Sequence, residues 1–466
     1  MFRYLLIVAA WVWICSCQKE SFNTSANALL TTSTDSLKFD TVFTGAGSIT
    51  QSFKIKNENE QKLLLNSVKL MGGGNSSFRM NVNGQATTEI NNVEMEAGDS
   101  IYVFVSVNVN PNSQNTPFIV SDSIRIGYNG QQRFVQLEAF GQNAHYLSNQ
   151  TIRGQATWTN DLPYVILGSL NIDTTAQLTI EQGCRVYVHA NARFIVNGSL
   201  QANGSKGNEI IFKGDRRDAY YNAIPGAWQG LVFNESSRNN VLRFVNINNA
   251  TRAVVVNEPA SNNLPKLTMH QCIVDNALMN GIQLFHSSLL AENCLISNSK
   301  KNLEIIAGGD YSFVNCTFAS YSNNYMLHTL PVLQATDINP LSSNTNGTED
   351  LNATFTNCIF WGDGGTVSNE LSVNRFGTTL FDMRFNHCIY KNETDPADAA
   401  FSACLNGTDP LFDSIDVVRN YYDFRTFSNQ SAPGIDNGTL TSYPKDLDDQ
   451  NRISGNATDI GCYEKQ

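Results

Sequence analysis

Lys300, Lys301 and Glu304 put two cations and a carboxylate within five residues. Such a group could take a proton from the carbon next to a sugar carboxylate while a second cation, or a Ca²⁺ held by carboxylates, neutralises the enolate. Arg252 and the run Asp215-Arg216-Arg217-Asp218 offer similar charges. The plainer reading is that all of these are solvated turn charges, and we give it precedence. The aromatic residues Tyr321 and Tyr325 lie in a polar stretch from Ser320 to Asp350 that reads as a projecting loop. Loops on a rigid scaffold often carry binding, and tyrosines there could stack on sugar rings. Tyr220-Tyr221 and Tyr421-Tyr422 are weaker candidates, and Trp228 and Trp361 read as core or cap residues.

Other chemistry is mostly excluded. The six histidines are scattered, and no two have metal-ligand spacing. Asp446-Leu447-Asp448 opens like a calcium loop, but position twelve would be Ala457. That leaves room for a structural calcium and none for a sensor loop. No metal centre and no other cofactor is expected. Gly72-Gly73-Gly74 is not followed by Lys-Ser/Thr, so it is no phosphate loop. The net charge of −11, with no basic block, argues against nucleic acid as a partner.

The elements that must position these residues are short and β-rich. Only 16% of the 466 residues are charged and 41% are hydrophobic, and asparagine outnumbers lysine and arginine together. This suits turns and stacked strands better than solvated helices. Between Asp35 and Ala144, alternating runs such as Phe53–Asn57 and Ile101–Val107 are separated by turn residues at the spacing of a β-sandwich. From about Leu147 onward the strand-like units shrink to triplets, the length expected for the sides of a β-helix. Cys272, Cys294 and Cys316 recur every 22 residues, each followed by an apolar pair or a Thr-Phe pair. The phrase returns at Cys358 and Cys388 after gaps of 42 and 30, where coils carry insertions or one coil more. In-register parallel cysteines stay about 4.8 Å apart, whereas a disulfide wants Cβ atoms at about 3.8 Å. The ladder is therefore expected to be buried and reduced. Cys184, Cys404 and Cys462 fall outside this ladder and cannot be paired from sequence.

Residues 1–17 read as an export signal, with Arg3 before an apolar stretch too short to span a bilayer. Ile14-Cys15-Ser16-Cys17 resembles the bacterial lipoprotein box. The resemblance implies cleavage before Cys17, acylation of its thiol, and anchoring to a membrane by lipid. Gln18-Lys19-Glu20 resembles the surface-export signal of Bacteroidetes lipoproteins, so an outer-membrane location is expected, on the periplasmic or the cell-surface side. Residues 18–34 read as a flexible tether. Phe39–Gly47, Asn57, Ala97–Ser100 and Ala139–Gln142 together resemble bacterial immunoglobulin-like modules of the abnormal-spindle/hydin type, which space or bind and share no catalytic residue.

The phrases Gln177–Cys184, Ile195–Gly204 and Gly226–Leu231 resemble the opening of secreted pectin-lyase-like β-helix proteins. Asp409–Phe412, Ser431–Gly438 and Asp459–Glu464 resemble the choice-of-anchor Q region that closes many such chains. Polygalacturonase phrases (paired aspartates on one strand, Gly-His-Gly, Arg-Ile-Lys) are missing. The expected architecture is all-β: an immunoglobulin-like sandwich over 35–145, then a right-handed parallel β-helix with a C-terminal cap over 146–466. The expected function is non-catalytic binding of glycan or of a surface protein. The alternative is a polysaccharide lyase or glycoside hydrolase working on the β-helix face through Lys300, Lys301 and Glu304.

Overall fold

A computed structural model describes residues 21–44, 47–110, 118–217, 221, 223–262, 264–341, 347–427 and 431–466. The lipoprotein box with Cys17, and the candidates Asp218 and Tyr220, lie outside the described residues. The chain divides into two compact units after Asn143.

The first unit is a β-sandwich of two five-stranded sheets. Strand Ser100–Val107 shows why: its residues alternate buried and exposed, so one face of the sheet is apolar and must be covered. The same alternation in Gln51–Asn57, Leu63–Leu70 and Phe118–Tyr128 supplies Phe53, Ile55, Leu65, Val68, Ile124 and Ile126 to the core between the sheets. Residues 21–34 are not a free tether. Leu30–Thr32 pairs antiparallel with Gln51–Asn57, and Phe22 bridges Lys62. The Asn59 side chain clamps Leu29 through both its backbone groups, at 2.9 Å each.

The second unit is a parallel β-helix. Successive coils pair in parallel register into a sheet of eleven strands and one of seventeen. The larger sheet forms two faces, because the long strands Asn280–Glu292 and Lys301–Val314 turn a corner at His286 and Ala307–Gly308. Single left-handed residues make a second corner. Gln271, Asn293, Asn315, Asn357, His387 and Ala403 all have φ between 51° and 54°. Asparagine tolerates that region because its short amide can replace lost backbone contacts. This explains why asparagine so often precedes the ladder cysteine.

The cysteine ladder is longer than the 22-residue period suggests. Leu295 N–H bonds Cys272 O, Thr317 bonds Cys294, Ile359 bonds Cys316, Ile389 bonds Cys358 and Leu405 bonds Cys388, all at 2.8–2.9 Å. The gap of 42 is thus one coil with an insertion, not an additional coil. Cys404 closes the column. Cys184 begins it, since Ile211 N–H bonds Cys184 O in the same way. The sequence reading leaves both outside the ladder: Ile210 and Val245 fill the two slots between Cys184 and Cys272, and the last coil, from Cys388 to Cys404, is shorter than the 22-residue period. All eight described cysteines are free thiols. Phenylalanines stack beside them at coil spacing: Phe313, Phe355, Phe385 and Phe401 follow one another at 4.8–5.0 Å between ring centres.

Candidate functional site

Alternation places every second residue of a β-helix face outward. On the face formed by Arg252–Asn257, the first half of Asn280–Glu292 and the first half of Lys301–Val314, the outward column runs Val255, Gln283, Glu304, Gln334, Ser372. Beside it Arg252, Asn280 and Lys301 stack on consecutive coils. Of these, Arg252, Asn280, Gln283, Lys301 and Glu304, joined by Lys300, line a cleft of about 330 Å³. The insertion after Tyr321 contributes Leu330 to its wall. That insertion is pinned by a buried pair, His328 Nε2 to Glu370 Oε1 at 2.8 Å, and by Val332 N–H donating to Glu370 Oε2 at 3.1 Å.

The three sequence candidates Lys300, Lys301 and Glu304 do come together here. Lys301 forms an ion pair with Glu304 Oε1. Gln283 Nε2 and Asn280 Nδ2 donate to the other oxygen, Oε2, at 2.7 and 2.8 Å. Both carboxylate oxygens are thereby committed. Lys300 and Arg252 are exposed at the rim, and neither has a carboxylate partner among the described residues. The cleft holds three cations against one carboxylate in a chain whose net charge is −11. Asn280 and Gln283, which orient Glu304, carry no motif and were not singled out in the sequence. Only the coil register reveals that they are Glu304's neighbours.

The remaining candidates are elsewhere. Tyr321 packs its ring against Tyr422 and Phe424 beneath the C-terminal segment, at 6.3 Å from each. Desolvation by that packing pushes its phenol well above the ordinary range. This ring is a packing element and not a platform for sugar. Tyr325 is 42% exposed on the insertion that supplies Leu330. Arg216 lies over the Tyr221 ring and Arg217 over the Tyr187 ring. Asp215 bonds His189 at 2.7 Å. These contacts hold Asp215, Arg216 and Arg217 against neighbouring side chains.

The calcium-like phrase is also occupied. Asp446 Oδ1 accepts the N–H groups of Asp448 and Gln450, and Oδ2 that of Glu464. Asp448 is paired with Lys206 and Arg425. Among the described residues, no three His, Cys, Asp or Glu side chains converge to hold a metal.

The phrases near the C-terminus close over the eleven-stranded sheet. Phe412, Phe424, Leu447, Ile460 and Cys462 pack on its outward residues Leu295, Ala319, Ile359, Trp361 and Ile389. Arg452, 1% exposed, locks this cap. Its Nε and Nη2 donate to Asn293 Oδ1 at 3.0 and 2.7 Å, Nη2 also to Gly461 O at 2.7 Å, and Nη1 to Asp459 O at 3.2 Å. Glu464 Oε2 lies 3.5 Å from Nη1. Gly461 has φ of 107°, and a Cβ there would stand 2.8 Å from Ile359 Cδ1, so only glycine fits between cap and sheet. Burial raises the Glu464 carboxyl to about 7, with the Asp459 charge adding to the effect and Arg452 opposing it.

No protein-family model and no curated protein matches the chain. Among solved structures, it is similar to pectate lyase Pel9A at 11% identity, with a TM-score of 0.29, over 70% of this chain and 88% of that one. A family 123 glycoside hydrolase from Clostridium perfringens, described for glycolipid glycan hydrolysis, matches at 8% identity with a TM-score of 0.17. It covers 24% of this chain, and the chain spans about a quarter of that enzyme's length, 26%. Likenesses this slight carry no chemistry across. The assignment of the second unit as a parallel β-helix stands on its own strand register.

Proposed function

We propose that this is a lipid-anchored surface protein, acylated at Cys17, whose β-helix binds an anionic polysaccharide without cleaving it. The observation that carries the reading is the commitment of Glu304 to Lys301, Asn280 and Gln283. A lyase base must be deprotonated and aimed at the substrate. Lys301 instead is held in an ion pair with Glu304, and both carboxylate oxygens of Glu304 are taken. Arg252 and Lys300 remain at the rim as fixed cations able to meet sugar carboxylates, with Met279 and Leu330 as an apolar lip. Tyr325 stands nearby in sequence as an exposed ring for stacking.

Calorimetric titration of the purified protein with oligogalacturonate tests the reading. Binding should weaken about tenfold in Lys300→Ala/Lys301→Ala, and no unsaturated product should accumulate with wild type. Turnover that survives purification and collapses in the double variant would establish the lyase alternative. For the anchor, Cys17→Ser should release the protein from the membrane fraction or leave it unprocessed. Retention at the mature size would contradict the anchor.

A further inference from the structure

We propose that Glu304 promotes an amide bond between the side chains of Lys301 and Asn280, a covalent staple between two coils of the β-helix. Such a bond needs an amine, a primary amide, and a carboxylate in contact with both to move the proton. All three are present. Lys301 Nζ forms an ion pair with Glu304 Oε1, and Asn280 Nδ2 donates to Glu304 Oε2 at 2.8 Å. The coil register sets Asn280 directly beside Lys301. Amine and amide therefore start from adjacent strands, about 4.8 Å apart at the backbone. Glu304 lies beside Gln283 in the same register, and from there its carboxylate reaches both reactants.

The group is largely withdrawn from water. Asn280 is 3% exposed, and the side chains of Lys301 and Glu304 are 20% and 12% exposed. Met279, Ile306 and Leu330 supply apolar surface around them. Gln283 Nε2 donates to Glu304 Oε2 at 2.7 Å, which fixes the orientation of the carboxylate before any reaction. Water is thus a poor competitor for the amide carbon, and the proton carrier is already in place.

The chemistry closes within the three side chains. Glu304 Oε1 takes a proton from the Lys301 ammonium and frees the lone pair of Nζ. Nζ attacks Asn280 Cγ, so the Nζ–Cγ bond forms as the Cγ–Nδ2 bond breaks. The carboxyl passes its proton to Nδ2, against which Oε2 already lies. Of the three ammonium protons, one stays on the new amide nitrogen and two leave with Nδ2 as ammonium. Glu304 ends as the carboxylate it began as, and nothing is oxidised or reduced. All eight described cysteines are free thiols, so none of them supplies a covalent tie between coils. The amide supplies one, and by closing a loop it restricts the unfolded chain. Arg252 and Lys300 keep their charges at the rim of the cleft, whether or not the cleft holds a glycan.

The test is the intact mass of the purified full chain under denaturing conditions, set against Lys301→Arg and Glu304→Gln. Wild type should weigh one ammonia less than its sequence requires, and both variants should have their full mass. Digestion of wild type should leave the bond after Lys301 uncut by trypsin and give a branched peptide, whose fragmentation places the branch between Lys301 and Asn280. A variant that fails to fold would also lose the deficit, so the branched wild-type peptide decides the matter by itself. Full mass in wild type with normal cleavage after Lys301 would overturn the proposal. So would a deficit that persists in Lys301→Arg, as when Asn280 closes on the backbone nitrogen of Gly281, or a branch at Gln283. A Glu304→Gln chain that folds, by circular dichroism, and still carries the branch would remove Glu304 from the chemistry and overturn it equally.

Discussion

The β-helix has a covered face and open ones, and the difference lies in what points outward. On the eleven-stranded sheet the outward residues include Ile273, Leu295, Ile359, Ile389 and Leu405, and the chain's own C-terminal segment covers them. On the open faces the outward columns read Gln283, Glu304, Gln334, Ser372 and Ser288, Asp310, Asn352, Asp382. The same coils, with the same inward core, thus have one side covered by the chain itself and two left open to solvent. An apolar outward strip left bare would be an adhesive surface. The cap is accordingly a structural requirement of the fold, and the candidate sites lie where no cap is needed.

Removing the lock on the covered face should have the largest effect. Arg452→Ala strands Asn293 Oδ1 and two backbone carbonyls and leaves Glu464 buried beside no cation. A loss of about 3–5 kcal/mol is expected, seen as a lower Tm with new binding of a hydrophobic dye. If the dye does not bind, the cap does not shield that sheet.

Below both kinds of face, Cys294→Ala should cost about 1 kcal/mol through a small cavity. Denaturant melts would register it without any change in dye binding. The ladder also makes a labelling prediction on native protein. Cys404 is only half-buried, and a hydrogen bond with Cys388 lowers its thiol to about 7. It should react first among the described cysteines, while Cys316 and Cys358, buried and pushed well above 9, should wait for unfolding. Mass spectrometry of the labelled peptides decides this, and early labelling of Cys316 would contradict the stacked core.

Acidity should separate the covered face from the open ones more gently. Glu464 ionises at about 7 in the folded cap against 4.5 when unfolded, so the folded state holds the extra proton between those values. Its stabilising contribution is complete below 4.5 and disappears as pH rises through about 7. Burial raises Asp446 and Asp459 in the same sense. Glu464→Gln should therefore gain on wild type as pH climbs through neutrality, measured as the difference in denaturation midpoint across pH. A difference that stays flat would place the charge elsewhere. Smallest of all, Ser372→Thr on an open face should shift stability by less than about 0.5 kcal/mol.

Much of this architecture was readable beforehand because it is periodic. The 22-residue cysteine phrase marked the coil, and alternation over Ile101–Val107 marked the sandwich. The ladder is longer than the period shows at its first end because Ile210 and Val245 fill two cysteine slots, packing asking for a compact apolar group and not for sulfur, and at its last end because the coil from Cys388 to Cys404 is short. The tether assignment failed for residues 21–34 because a polar composition says nothing about an asparagine thirty residues away that holds Leu29.

The candidate site divides along the same line. Lys300, Lys301 and Glu304 are close in sequence, so their meeting was a local matter that the chain determined by itself. Whether Glu304 would be free or committed was not local. Asn280 and Gln283 reach it from the preceding coil, 24 and 21 residues earlier. The fate of Tyr321 depended on Tyr422 and Phe424, about a hundred residues later in the chain. Sequence alone determined the repeat, the alternation and the left-handed corners, because each follows from a few neighbouring residues. Tertiary structure decided which outward residues are covered, which carboxylates are satisfied and which remain open to a ligand, because those depend on what the next coil and the returning chain place beside them.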